Sequence, residues 1–197
     1  MRLLLATHND HKRREFERLL AGAGGDAIAI DVLDRSFELP PEDGETFAEN
    51  ALGKARAAAH ALGRAAFADD SGIAAEALGG APGIRSARYA GEDARDEENL
   101  QKLLREAPAG SGLEYICAIA YVDPAGGVEQ VFEGRCSGWL AERPSGTGGF
   151  GYDPAFLPYE VPDGRTMAEL SDDEKDAISH RGLAAREFAA WLSLRAG

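Results

Sequence analysis

Long apolar runs are missing from this 197-residue chain. No stretch approaches the roughly twenty apolar residues that a membrane-spanning helix needs. The opening MRLLLATHNDHKRRE carries only a short apolar run, Leu3 to Ala6, too little for the core of a secretory signal. Cysteine is scarce: Cys117 and Cys136 leave no disulfide framework and no zinc pattern. Positive charge is outnumbered, with 21 Lys and Arg against 34 Asp and Glu and a formal net charge of −13. So acidic a surface repels nucleic-acid backbones and anionic lipid, which excludes a polynucleotide or membrane partner. Repeats, heptads and low-complexity tails are absent as well. What remains, 44% hydrophobic and 28% charged residues, suffices for a packed core and excludes a disordered or fibrous chain. The expectation is one domain over residues 1–197 in a reducing, cytoplasmic setting.

Strand and helix patterns alternate along the chain. Arg2 to Ala6 reads as a strand and Asp10 to Gly22 as a helix with Phe16, Leu19 and Leu20 on one face. Ala27 to Leu33 alternates as a second strand, and Pro40, Pro41 and Gly44 forbid regular structure in the acidic connection that follows. Thr46-Phe47-Ala48-Glu49 is a capping box opening an alanine-rich helix to about Leu62. Ala65 to Ala68 predicts a short strand that ends by delivering Asp69 and Asp70. A helix over 96–106 and strands over 113–123 and 128–139 come next. If Gly126-Gly127 makes a two-residue turn, Cys117 and Cys136 face each other across the hairpin as reduced thiols. A glycine-dense loop, 145–154, precedes capping boxes at Thr166…Glu169 and Ser171…Glu174 and an amphipathic helix to about Arg195. Interleaved strands and helices with a hairpin predict an α/β fold on a mixed sheet.

Three places carry residue types suited to chemistry. Thr7-His8-Asn9-Asp10-His11-Lys12 joins a strand to a helix start, where backbone N–H groups, the helix dipole and the Lys12 ammonium suit a phosphate. An ordinary polar cap is the plain alternative, and the glycines of a P-loop are missing. Asp69 and Asp70 are adjacent strand residues and so point to opposite faces. With Glu42, Glu45 and Glu49 nearby in sequence, they are oxygen donors of the kind Mg²⁺ prefers; a helix cap and solvated acids are the plain alternative. The third place is the glycine loop to Asp153 with Lys175, Ser179, His180 and Arg181. Lys175 and Ser179 share a helix face, Phe150 or Tyr152 presents a stacking face, and a solvated helix is the plain alternative.

Together these blocks resemble one family, the inosine/xanthosine triphosphate pyrophosphatases, or Ham1-like family. The resemblance is carried by Thr7-x-Asn9-x-x-Lys12, by Glu42-x-Gly44-x-Thr46-Phe47-x-Glu49-Asn50-Ala51-x-x-Lys54-Ala55 and by Ala68-Asp69-Asp70-Ser71-Gly72. It continues in Gly80-Ala81-Pro82-Gly83, Gly148-Gly149-Phe150-Gly151-Tyr152-Asp153-Pro154 and Lys175-x-Ala177-Ile178-Ser179-His180-Arg181-Gly182, all in family order. It implies a single nucleoside-triphosphate pyrophosphatase domain, an elongated two-lobed mixed α/β fold with a central substrate cleft, and a homodimer. The implied reaction is Mg²⁺-assisted water attack on ITP, dITP or XTP, releasing monophosphate and pyrophosphate and cleansing the nucleotide pool; Mn²⁺ is an alternative ion.

The resemblance also implies roles. Thr7, His8, Asn9, Asp10, His11 and Lys12 cradle the phosphates, Lys54 adds a cation, and Ser71 touches the substrate. Glu42 and Asp70 hold Mg²⁺, with Asp70 the proton acceptor and Glu45 or Asp69 as alternatives. Phe150, Gly151, Tyr152, Asp153, Lys175, His180 and Arg181 read or clamp the base, with Arg181 or Lys175 donating to O6 and Asp153 accepting from N1–H. Position 8 is His where the family often carries Gly. Lys12, Lys54, Lys175, Arg181 and Mg²⁺ would reverse the acidic sign locally for a triphosphate of about four negative charges. A Maf-like nucleotide pyrophosphatase with another base preference is the nearest rival, and a non-catalytic nucleotide-binding protein is the rival from another class.

Overall fold

A computed structural model describes residues 1–22 and 28–195 of the protein. The element order is β1 (Arg2–Leu5), α1 (Asp10–Gly22), β2 (Ala29–Val32), α2 (Phe47–Leu62), β3 (Ala66–Ala75), α3 (Asp96–Glu106), β4 (Gly112–Asp123), β5 (Val128–Leu140), β6 (Phe156–Pro158), α4 (Asp172–Ile178) and α5 (His180–Arg195). The strands form one sheet in the order β2-β1-β3-β4-β5-β6. β1 is parallel to β2 and β3, whereas β5 and β6 are antiparallel, so the sheet is mixed as the sequence predicts. Ala27, the first residue of the expected second strand, lies outside the described residues.

By contact density the chain divides into two compact units. The first is Met1–Asp70, Cys117–Gly134 and Arg181–Gly197; the second is Ser71–Ile116 and Arg135–His180. In the first unit, strand alternation separates two apolar layers. Leu3, Leu5, Phe67, Cys117 and Ile119 pack with Phe16 and Leu20 of α1 and Phe188 of α5. Leu4, Ala6, Ala66 and Ala68 pack instead with Ala51, Ala55, Ala58 and Ala59 of α2. Alanine on that face lets α2 lie close to the sheet. The second unit has one cluster, in which Ile73, Leu113, Tyr115 and Leu140 pack with Leu100, Leu103, Tyr152 and Phe156.

Three local expectations need correction. β3 does not stop at Ala68 but continues to Ala75, burying Asp69 and Asp70 mid-strand. Acids end a strand only where water must solvate them, and here buried cations do so instead. The β4–β5 connection spans residues 124–127 rather than two glycines, because Asp123 Oδ1 accepts the Ala125 N–H at 3.1 Å and starts the turn early. Both cysteines are buried free thiols. Ser179 is not on the face of α4 with Lys175; it is the C-cap, with ψ of 151°.

The capping box of α2 forms as read, with Glu49 N–H on Thr46 Oγ1 at 3.1 Å and Glu49 Oε2 accepting the Thr46 N–H at 3.1 Å. Thr46→Ala is expected to destabilise the protein by about 1 kcal/mol. Urea unfolding checks it, and an unchanged midpoint would remove the cap from the account of α2.

Candidate active site

The turn from β1 into α1 is fixed by its own side chains. Asn9 Oδ1 accepts the N–H groups of His11 at 2.9 Å and Lys12 at 3.1 Å, and Thr7 Oγ1 accepts the Asn9 N–H at 3.2 Å. Asparagine is among the strongest N-caps, so donors expected to be available to an anion are engaged internally. His8 donates through Nε2 to the Phe37 carbonyl at 2.8 Å, and Asp10 pairs with Arg35 at 2.8 Å, which ties the turn to the 34–37 segment. Lys12 reaches past the cap to Asp69 Oδ2 at 3.0 Å.

Asp69 and Asp70 point to opposite faces of β3 and meet different surroundings. Asp69, with its side chain fully buried, shares Oδ2 among Lys12, Arg181 Nε at 3.3 Å and Arg181 Nη2 at 3.1 Å. Burial alone would raise its pKa, but Lys12, Arg181 and Lys54 outweigh burial and hold the carboxyl well below the usual range. On the α2 side, Asn50 Nδ2 donates to Asp70 Oδ2 at 2.9 Å, and Lys54 Nζ lies 4.0 Å from Asp70 Oδ1 and in close contact with Glu42. For Asp70 burial wins over Lys54 and Lys12, and its pKa is raised. Glu42 is also desolvated, but Lys54 and then Lys12 keep its pKa low. Gly44 N–H donates to Asn50 Oδ1 at 2.8 Å, which orients the amide. A Cβ on Gly44 would come within 2.8 Å of that oxygen and of Glu49 Cβ, so only glycine permits the approach.

The second unit holds another group. Asp153 is buried and accepts from Tyr115 Oη at 3.1 Å, Lys175 Nζ at 2.8 Å and the Phe150 N–H at 3.0 Å. Gly149, at φ +67°, leaves room for it: a Cβ there would lie 2.0 Å from Asp153 Oδ2. The Lys175 ammonium sits 5.3 Å from the centroid of the partly exposed Phe150 ring. Gly151 N–H donates to Asp96 Oδ2 at 2.9 Å. Tyr152 does not present a stacking face; it is buried in the core with its hydroxyl on the Ser86 carbonyl at 2.7 Å. His180 is buried and stacks flat on Tyr115, with centroids 4.5 Å apart and 3° between planes. Ser71, the residue after Asp70 in β3, is partly exposed.

Thr7 to Lys12, Glu42, Lys54, Asp69, Asp70 and Arg181 thus belong to the first unit, and Ser71, Phe150 to Asp153, Lys175 and His180 to the second. Each of the four cations read from the sequence already faces a carboxylate: Lys12 Asp69, Lys54 Glu42, Arg181 Asp69 and Glu15, and Lys175 Asp153. Asn50, Glu15 and Tyr115 were given no role from the sequence. The signal for Asn50 was available, since it lies four residues before Lys54 in an otherwise alanine-rich face. As for a metal, Glu42 and Asp70 both flank one ammonium; on the other face of β3, Asp69 Oδ1 is buried with no hydrogen-bond partner among the described residues. Hard oxygen donors at one cation position suit Mg²⁺, which takes one or two carboxylates and completes its shell with phosphate and water. Among the described residues no three Asp, Glu, His or Cys groups form a cage.

Comparison with known proteins adds an independent line. The model of the Ham1 family matches residues 3–191. A dITP/XTP pyrophosphatase of Yersinia pseudotuberculosis is 48% identical over 191 residues, covering 93% of each chain. One from Frankia alni is 48% identical over 203 residues, covering 98% of this chain and 97% of its own. Among solved structures, a HAM1 protein from Coxiella burnetii is similar with a TM-score of 0.84 and 37% identity, covering 98% of this chain and 99% of its own. No helix among the described residues is long and apolar enough to cross a membrane.

The two adjacent acids are expected to respond oppositely to amidation in metal-free buffer. Asp69, with a lowered pKa, contributes stability that is complete above the unfolded carboxylate pKa of about 3.9 and is lost as pH falls below it. Asp69→Asn should therefore cost about 3–5 kcal/mol at pH 7.5, the range for breaking a buried pair. Asp70, with a raised pKa, penalises the folded state when ionised, and the penalty fades as pH falls through that raised value. Asp70→Asn should stabilise by about 1 kcal/mol at pH 7.5 and by less at pH 5. Urea titrations at both pH values decide it; equal destabilisation by both variants would refute the contrast.

Proposed function

Because this chain belongs to the Ham1 family, we propose that it hydrolyses deaminated purine nucleoside triphosphates, ITP, dITP and XTP, to the monophosphate and pyrophosphate. The observation carrying this reading is that Lys12 pairs with Asp69 and Lys54 lies beside Asp70, so two cations of the kind that bind phosphate stand at adjacent acids of one strand, the second of them a desolvated carboxylate with a raised pKa. The names of the relatives supply the substrate class.

The charge balance supports a metal cofactor. In the first-unit group three cations, Lys12, Lys54 and Arg181, face four carboxylates, Glu15, Glu42, Asp69 and Asp70. A triphosphate of about four negative charges cannot join such a group without a further cation. Glu42 and Asp70 would hold Mg²⁺, which, when bound, neutralises phosphate charge and lowers the pKa of water. Lys12, and Lys54 with it, turn from carboxylate to phosphate oxygens as the substrate arrives. Asp70 accepts the proton of the attacking water: burial raises its basicity, and the Asn50 hydrogen bond to Oδ2 orients the carboxylate. To the same reading belong a homodimer and a cytoplasmic setting.

Base choice is assigned to Phe150 to Asp153, Lys175, His180 and Arg181. Hypoxanthine and xanthine present O6 as acceptor and N1–H as donor; adenine presents the reverse. Lys175 donates to O6, and Asp153 or a backbone carbonyl accepts from N1–H. Arg181, whose side chain is 2% exposed and held by Glu15 and Asp69, is the alternative donor to O6. Rejection of guanine falls to its 2-amino group, where xanthine carries an acceptor.

Pyrophosphate release with Mg²⁺ tests the proposal. kcat/KM for ITP and XTP should exceed that for ATP by roughly 10²–10⁴, from two mismatches of ~1–3 kcal/mol each. Lys175→Ala should narrow the gap, and Asp70→Asn should abolish turnover while remaining folded. Hydrolysis of ATP as fast as ITP would end the recognition model, and an active Asp70→Asn would end the assignment of the proton acceptor.

A further inference from the structure

The proposed reaction leaves one buried carboxylate without a task. Glu15 of α1 is 8% exposed, and its Oε2 accepts Arg181 Nη1 at 2.5 Å. The same guanidinium donates through Nε and Nη2 to Asp69 Oδ2, at 3.3 and 3.1 Å, and lies 5.8 Å from the centroid of the Phe16 ring. Asp69 Oδ2 in turn holds Lys12 Nζ at 3.0 Å. Acid, base, acid and base therefore alternate from Glu15 to Lys12, and the four charges cancel.

We infer that Glu15 is a positioning residue for Lys12. By sharing Arg181, it limits how strongly that guanidinium draws on Asp69 and leaves Oδ2 able to hold the lysine at the turn. This rests on the reading of Thr7 to Lys12 as the triphosphate site. With Glu15 neutral, Arg181 loses a carboxylate partner, pulls Asp69 more strongly toward itself and repels Lys12, and buried charges are little screened by salt. The ammonium then loses its set position. A simple charge effect has the opposite sign: removing a carboxylate makes the region more positive and tightens anion binding.

The test uses Glu15→Gln, which keeps shape and a hydrogen-bond acceptor, and Glu15→Asp, which keeps the charge. Binding of inorganic triphosphate to the full chain at fixed Mg²⁺ is measured by calorimetry, and KM and kcat with ITP. Glu15→Gln should weaken triphosphate binding and raise KM about tenfold while kcat stays within about twofold, and Glu15→Asp should recover part of the loss. In a Lys12→Ala background Glu15→Gln should have no further effect, because the coupling runs through that lysine. Equal or tighter binding by Glu15→Gln would overturn the inference, as would an undiminished effect without Lys12. Should Glu15→Gln not fold, Glu15→Asp enters the same cycle, with about threefold weaker binding expected only when Lys12 is present. A wild-type protein that binds triphosphate but leaves ITP intact would refute the proposed function and spare this inference. Hydrolysis of ITP with normal binding by Glu15→Gln would do the reverse.

Discussion

A strand buried on both faces can carry two neighbouring carboxylates only if each finds a cation, because an unpaired ion in such surroundings costs several kcal/mol. β3 is such a strand, and alternation sends Asp69 and Asp70 to different layers. Lys12 and Arg181 answer Asp69 from α1 and α5, and Lys54 answers Asp70 from α2. Much of the first unit's local geometry follows from that requirement. The Asn9 cap sets where α1 starts and hence where Lys12 stands. The Thr46 box and the alanine face set how closely α2 lies against the sheet, and hence whether Asn50 and Lys54 reach Asp70.

The same alternation divides labour between two residues of one type. Asp69 shares one oxygen between Lys12 and Arg181 and is held ionised; Asp70 takes the neutral Asn50 amide with the Lys54 ammonium more distant, and burial dominates. Environments that push the pKa values of paired acids apart suit one to a fixed charge and the other to proton transfer, the roles of Asp69 and Asp70 in the proposed reaction. Reduced stability at Asp70 is the expected cost of that arrangement.

Much of this was legible in the sequence. Strict periodicity, the capping boxes at Thr46 and Ser171 and the apolar runs place α1, α2, α3 and β5 within about a residue, because those signals are local. The ordered blocks around Thr7, Asp70, Gly149 and Lys175 identified the family. What escaped depends on partners far apart along the chain. Arg181 looks like a solvated helix residue until Asp69, 112 residues away, and Glu15, 166 residues away, are seen to engage it. β3 appears to end at an acidic pair because the cations that permit its continuation lie on other elements. Tyr152, beside an exposed-looking glycine loop, is drawn inward by the Ser86 carbonyl.

The second unit follows a related logic with a different outcome. Asp153 is held by Tyr115, Lys175 and the Phe150 N–H, and Gly149 is required for the loop to pass so close. Tyr115 is itself backed by the flat ring of His180. A carboxylate fixed from three directions cannot swing away when a ligand presents the wrong edge. In the proposed reaction that rigidity makes discrimination steep, since a mismatched base leaves buried polar groups unsatisfied and the site cannot relax around it. On the proposal that Asp153 accepts from N1–H, a looser carboxylate would hold hypoxanthine with similar hydrogen bonds yet tolerate adenine. Selectivity of this kind therefore depends on the residues behind the acceptor as much as on the acceptor itself.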